Sequence, residues 1–481
     1  MEKKVLKSCY IYNKRGSRIK MRKIVILGIL LLLTFTLQPL VDAEEPSESV
    51  IYRIEREYKI SNPSSSTATN VTATIYLIDN RSGWASQTIL EESITLDGSG
   101  ISPRIITASD NRVAHVDLGT ISGHNSKTIR VVKIVRVDRV DLKVEPSDVT
   151  GEVPVGLRRY TESVDHLWQS DDPLLKHKAL ELTENESNLY LKVRKIFNFV
   201  ETYLTYEEQI EEHDALWAYN HRKGDCTEFT NLFIALCRAA GIPAKFISGY
   251  LCDLNLVEQP LPGHAFACIY LPNVGWAPVD LTWNHPTGQF CELTNDHLIE
   301  LTSDGSNMVK EGKVRIPSCR VEYKYVGTSP DLSIEETGAL SYEVNIRPEI
   351  HLSSRVEDRT GRFTVIIYNK GSRGVSNVSV GLEVDETYFS APPPQDIDDL
   401  DNGLHQNVYF EVQVKRGVEN SPVRAVVTYD TPYGTFQAQQ TSLVTVTLSE
   451  AAPGEQNLLL LILVAVVIGA IGGLAIGLLR R

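Results

Sequence analysis

Apolar and polar residues alternate from Ser49 to about Val149. Val71-Thr-Ala-Thr-Ile-Tyr-Leu-Ile78 and Thr128-Ile-Arg-Val-Val-Lys-Ile-Val135 are two such runs. Turn residues at Asn62-Pro63-Ser64, Asp79-Asn80-Arg81-Ser82-Gly83 and Asp97-Gly98-Ser99-Gly100 separate the runs. A period of two puts every second side chain on one face, so the segment predicts a small β-sandwich over 49–150. The period then changes. Leu189, Val193, Ile196, Phe197, Val200 and Leu204 recur at helical spacing and predict an amphipathic helix over about 187–204. A second helix is expected behind Asp225. Three strands are expected after it, at 244–251, 264–271 and 275–283. Helices followed by antiparallel strands describe an α+β domain, placed at 155–330. Alternation returns in 363–368, 378–384, 407–414 and 424–429. It predicts a second all-β module over 341–449, an immunoglobulin-like sandwich without the Cys/Trp hallmarks of antibody domains.

Two apolar runs stand outside this pattern. Ile24 to Leu37 is uncharged, follows a basic segment and precedes Val41-Asp42-Ala43, so residues 1–43 read as a secretory signal or leader. Leu458 to Leu479 carries no charge and is followed by Arg480 and Arg481. Its length predicts a transmembrane helix at 458–479, and the arginines a cytoplasmic C-terminus. The expected localisation is the cell membrane, single-pass, with the body extracytoplasmic whether or not the signal is cleaved. The formal net charge is −13, although both ends are basic. So acidic a body excludes the phosphate neutralisation that nucleic-acid binding needs.

Six of the seven cysteines, Cys226, Cys237, Cys252, Cys268, Cys291 and Cys319, lie in the α+β region, and no CxxC or His/Cys cluster with zinc spacing accompanies them. A metal site is therefore not expected, and no cofactor is implied. An outside location permits disulfides, with Cys291–Cys319 and Cys252–Cys268 as rival pairs.

The candidate chemistry centres on Cys226. Asp225 and Glu228 have the spacing of a capping box, Phe229, Leu232, Phe233, Leu236 and Ala240 form one apolar stripe, and Gly241 and Pro243 stop the helix. Cys226 thus falls in the first turn, where the dipole and free N–H groups favour a thiolate. Gly224 lets the backbone approach a ligand. Cys237, mid-helix beside Leu236, reads as packing. His264 opens an apolar strand, a position more often occupied by a surface residue. Asp280 lies inside Trp276-Ala-Pro-Val-Asp-Leu-Thr-Trp283, where an acid needs a partner. If Leu271 pairs with Gly275, Asp280 falls opposite Phe266, on the face of His264. A slip of one residue would separate the two.

Val200-Glu-Thr-Tyr-Leu-Thr-Tyr206, Lys223-Gly-Asp-Cys-Thr-Glu-Phe-Thr230, Ala239-Ala-Gly-Ile-Pro-Ala244, Ser248-Gly-Tyr250, Gly263-His-Ala-Phe266 and Trp276-Ala-Pro-Val-Asp280 follow one another in this order. Together they resemble the successive blocks of the transglutaminase-like superfamily over about residues 185–285. The resemblance implies a papain-like α+β core. It also implies a catalytic triad of Cys226 as nucleophile, His264 as base and Asp280 as orienting carboxylate. Phe266 departs from the Trp usual after His-Ala. Tyr206 and Trp217 are candidates for an oxyanion donor or a substrate wall, or for packing. The expected function is cysteine-dependent acyl transfer, by hydrolysis or transamidation, on a protein or peptide substrate at the cell surface. The alternative is a non-catalytic adhesion or scaffold protein.

Overall fold

The computed structural model describes residues 49–252, 258–261, 263–283, 288–310, 312–316, 318–352 and 359–446, together with the backbone of 464–466. The first module contains β1 (Ser49–Ser61), β2 (Ala68–Leu77), β3 (Ser86–Leu96), β4 (Asn111–Ile121) and β5 (Ser126–Asp138). Strand β5 pairs with β1 along its whole length and with β3 on its other side, while β2 pairs with β4 in a second sheet. Alternate residues of both sheets, among them Tyr58, Ile60, Val71, Ile75, Val116 and Ile129, share one apolar core. That burial is what the period of two encodes.

The α+β region follows, with α1 (Pro173–Thr183), α2 (Leu189–Tyr203), α3 (Ala215–His221) and α4 (Cys226–Ala239), then β6 (Ala244–Leu251), β7 (Gly263–Leu271), β8 (Gly275–Asp280) and β9 (His297–Ser303). The strands form an antiparallel sheet in the order β8-β7-β6-β9, with Gln289–Phe290 outside β8. Every residue of α4 from Thr227 to Arg238 is buried. Its Phe229, Leu232, Phe233 and Leu236 share a core with Phe246, Ala265, Ala267 and Ile269 of the sheet. Asp172, Asn188, Asp214 and Asp225 cap the four helices, each accepting a first-turn N–H.

Helices α1 and α3 carry little periodic signal. Helix α1 buries only Leu175, Ala179 and Thr183, and α3 spans just two turns. Strand β9 carries no apolar–polar alternation. It is buried at all seven positions although His297, Glu300, Thr302 and Ser303 are polar.

The chain then returns to the first module. Strand β10 (Cys319–Lys324) pairs with β2, and β11 (Ser333–Val344) with β1. Residues 319–324, assigned to the α+β domain from sequence, therefore extend the first sandwich, and the α+β region is an insertion between its strands. Periodicity reports which face of a strand is buried, not which distant strand it pairs with. Beyond β11 lie β12 (Ile346–Leu352), β13 (Thr360–Asn369), β14 (Val375–Val384), β15 (Gln395–Leu400), β16 (His405–Gln413), β17 (Val418–Thr431) and β18 (Gly434–Val446). They build two sheets, β12-β13-β16 and β15-β14-β17-β18, around Phe363, Val365, Val380, Phe410, Val427 and Val444.

The expected leader at 1–43 lies outside the described residues, as does most of the expected membrane helix at 458–479. The described piece of the latter, β19 (Val464–Val466), is a short strand on the edge of β18 rather than helix. Among the described residues no helix is long and apolar enough to cross a membrane.

Candidate active site

Helix α4 begins as its capping residues dictate. The Asp225 carboxylate accepts the Thr227 N–H at 3.0 Å, and Glu228 Oε2 accepts the Asp225 N–H at 2.9 Å. Glu228 Oε1 also accepts the His213 N–H at 2.7 Å, which ties the preceding loop to the cap. A Cβ on Gly224 would lie 2.2 Å from Glu228 Cβ, so only glycine lets the chain enter the helix this closely. Lys223–Gly224 pairs in parallel with Thr205–Tyr206, which brings Tyr206 beside the helix start. Cys226 sits there partly exposed, whereas Cys237 is fully buried in the same helix.

The β7–β8 hairpin pairs Leu271 with Gly275 and Ala267 with Val279. This is the even register that puts His264 and Asp280 on one face. His264 Nε2 lies 2.6 Å from Asp280 Oδ2, and Cys226 stands close enough to the ring to favour its protonated form. With Nε2 facing Asp280, Nδ1 is the nitrogen left for sulfur. The other Asp280 oxygen accepts the Thr282 N–H at 2.8 Å, the Thr282 hydroxyl at 3.1 Å and the Trp283 N–H at 3.1 Å. Asp280 is fully buried and His264 nearly so.

The charges follow from this geometry. Burial alone would make Asp280 harder to ionise. The facing imidazoles of His264 and His297 outweigh it and hold the carboxyl well below the usual range. Burial would likewise favour neutral His264, but Asp280 and Cys226 outweigh it and raise the imidazole to about 9. The arrangement supports a protonated imidazole between a carboxylate and a sulfur. Glu228 is pushed up to about 8, first by burial and then by the neighbouring Asp225. Burial, followed by Cys226 and Asp225, raises the Tyr206 phenol and keeps its proton on oxygen.

Of the expected site residues, Cys226, His264 and Asp280 come together, and Tyr206 stands beside Cys226. Trp217 instead lies between the rings of His213 and His221, at 3.8 and 4.2 Å between centroids. The six described cysteines are all free. Lys245 is the cross-strand partner of Cys268, and Cys252 lies seven residues on, just past the end of β6, roughly 20 Å away at strand rise. Cys291 belongs to the α+β core and Cys319 packs against the first sandwich, so that rival pair is also apart.

Two residues at the site escaped the sequence reading. His297 Nε2 lies 3.0 Å from Asp280 Oδ2, and its Nδ1 lies 2.7 Å from Asp296 Oδ1. A histidine beside an acid at the start of β9 was the available signal, in a stretch without alternation to mark it as strand.

Two side-chain groups among the described residues bring possible metal-ligand atoms within 4.8 Å of one another: His264, Asp280 and His297, and Glu212, Asp225 and Glu228. In the first, both imidazoles donate to Asp280. In the second, Asp225 and Glu228 accept the N–H groups that start α4.

Residues 176–281 match the transglutaminase-like superfamily. Uncharacterized protein YebA of Bacillus subtilis is 24% identical over 144 residues, which is 26% of this chain and 19% of that protein's length. Among solved structures, a Cytophaga hutchinsonii protein proposed to be a cysteine protease is similar over 62% of this chain and 98% of its own. It has 17% identity and a TM-score of 0.40. Red sea bream transglutaminase is similar over 78% of this chain and 92% of its own, with 9% identity and a TM-score of 0.25.

Proposed function

Residues 176–281 form a transglutaminase-like domain, and from that premise we propose that the chain is a cysteine-dependent acyl-transfer enzyme with Cys226 as nucleophile. The observation that carries this reading is His264, held between the Cys226 thiol and the buried Asp280 carboxylate. The Cys226 sulfur attacks an amide carbonyl carbon. The C–N bond breaks, His264 gives its proton to the departing amine, and a thioester remains on Cys226. Water or a primary amine then attacks the thioester carbonyl, His264 accepts its proton, and the sulfur is released. Asp280 fixes the ring orientation and stabilises its protonated form. The Cys226 N–H, at the helix start, is the donor best placed for the developing oxyanion.

We place the substrate, a protein or peptide amide, at the cell surface, with the body extracytoplasmic and held at the membrane by the apolar terminal runs. The apolar runs at 24–37 and 458–479 support that placement. The pairs of sheets on either side of the core are read as immunoglobulin-like spacers.

A thiol-directed activity probe tests the enzyme reading. Labelling at Cys226 that disappears in Cys226→Ala supports it, and no such labelling across several probes contradicts it. A primary amine supplied with a glutamine-containing acceptor separates the two reactions: incorporation marks a transamidase, and ammonia release alone a hydrolase.

A further inference from the structure

The Cys226–His264–Asp280 line does not end at Asp280. His297 presents Nε2 to Asp280 Oδ2 at 3.0 Å and Nδ1 to Asp296 Oδ1 at 2.7 Å, with Thr294 Oγ1 at 3.2 Å from the same Nδ1. Asp296 in turn accepts the Thr294 hydroxyl. A neutral imidazole has a single N–H, so it would turn a lone pair towards one of these two carboxylate oxygens. Asp280 already accepts two N–H groups and a hydroxyl on Oδ1 and the His264 N–H on Oδ2. Those donors suit the ionised carboxylate. The arrangement is satisfied when His297 carries protons on both nitrogens. The ring cannot turn away freely. It is 1% exposed and lies edge-on to Phe266 and Trp283, with centroids 5.5 and 6.2 Å away.

We propose that His297 is a positioning residue of this site, an imidazolium clamped between Asp296 and Asp280 that keeps Asp280 ionised and aimed at His264. The inference rests on the enzyme reading above and assigns a fourth side chain to it. Both carboxylates outweigh burial and raise His297 to about 9, in keeping with the geometry. The charged and titratable groups facing it come from several elements. They are Asp296 on its own segment, Asp280 from β8, and His264 from β7 with Cys226 behind it. Tyr52, Cys252 and Tyr342 stand on the far side of Asp296, and burial raises all three so that they remain neutral. His297 is thus the cation that offsets the second carboxylate of the cluster.

The test is the pH profile of Cys226 acylation by p-nitrophenyl acetate, followed by peptide mass spectrometry on the full chain. Removing a buried cation makes every nearby proton harder to remove. In His297→Gln the whole profile is expected to move to higher pH by about one unit, so the rate at pH 6 falls about tenfold. A merely structural defect would lower the fraction acylated without moving the profile. A folded His297→Gln protein with an unmoved profile overturns the proposal. If that variant does not fold, Asp296→Asn is used in its place. It leaves the imidazolium beside Asp280 but removes an anion, so a smaller shift of the opposite sign, to lower pH, is expected. An unmoved profile there also overturns the proposal. If wild-type Cys226 is acylated no faster than free cysteine, the enzyme reading fails and takes this inference with it. A fast wild type with unmoved variants removes only the role of His297.

Discussion

Strand β9 borders two buried ionic clusters, and they differ in what they touch. At one end His297 joins Asp296 and Asp280, and that chain of carboxylates and imidazoles runs through His264 to a partly exposed thiol. Three residues on, Glu300 pairs with Arg56 of β1, and Arg56 also binds Glu336 of β11 and the Ser318 hydroxyl. Tyr250 of β6 donates to Glu300 at 3.0 Å. The β6–β9 ladder slips here: Ser248 faces Leu301 and Gly249 faces Ile299, which leaves Glu300 unpaired in a bulge that re-aims the strand. Both clusters bury charge. The Arg56 cluster ends on hydroxyls and aromatic faces and joins the first sandwich to the α+β sheet. The His297 cluster ends on a sulfur at a helix start. Buried charge alone therefore does not mark a reactive site. On the proposed function, the reactive cluster is the one that terminates on a sulfur at a helix start.

Substitutions can break this contrast. Asp280→Asn keeps the shape but replaces a carboxylate that accepts two imidazole N–H groups. Acylation of Cys226 is expected to fall by about 10²- to 10⁴-fold, read as a single-turnover rate. A loss below threefold would place Asp280 among the structural charges. Arg56→Ala leaves Glu300 buried without its cation. Denaturant unfolding is expected to show a loss of about 3–5 kcal/mol, while the pH profile of Cys226 acylation stays in place. A moved profile would mean that the two clusters act as one.

The smallest expected effect is in stability against pH. His264 and His297 are both raised to about 9 in the folded protein. Their stabilising contribution is fully present below the unfolded imidazole value of about 6.5 and is lost as pH rises through about 9. Asp280 is held low, so its contribution is present above the ordinary carboxylate range and is lost as pH falls through its depressed folded-state value. Urea unfolding at pH 6, 8 and 10 should show stability declining by a few kcal/mol, on the order of the linked shifts. That decline should be shallower in Asp280→Asn. Equal slopes in the two proteins would contradict the pairing.

The same contrast explains what could be read from the chain. Cys226 was legible because capping is local: Asp225, Glu228 and the stripe from Phe229 to Leu236 lie within a few turns of it. Asp280 was legible because a short hairpin fixes its register against His264. His297 was not, because β9 is buried on both faces and has no alternation, and because its partner strand β6 precedes it by some fifty residues. Strands β10 and β11 escaped assignment for a related reason. Their partners β2 and β1 lie on the far side of the whole α+β region, and no local period encodes such a distance. Neither disulfide pair forms, because the β6–β7 register places Cys252 and Cys268 at different heights and Cys291 and Cys319 belong to different cores.

The central claim is that Cys226 forms an acyl-enzyme with help from His264. The most direct measurement is an acid-quenched reaction of the full chain with p-nitrophenyl acetate, followed by intact mass and peptide mapping. The account predicts one acetyl group on Cys226 that hydroxylamine removes, absent in Cys226→Ala and slowed at least 100-fold in His264→Ala. Acetylation elsewhere with none on Cys226, or an unchanged rate in His264→Ala, would contradict it.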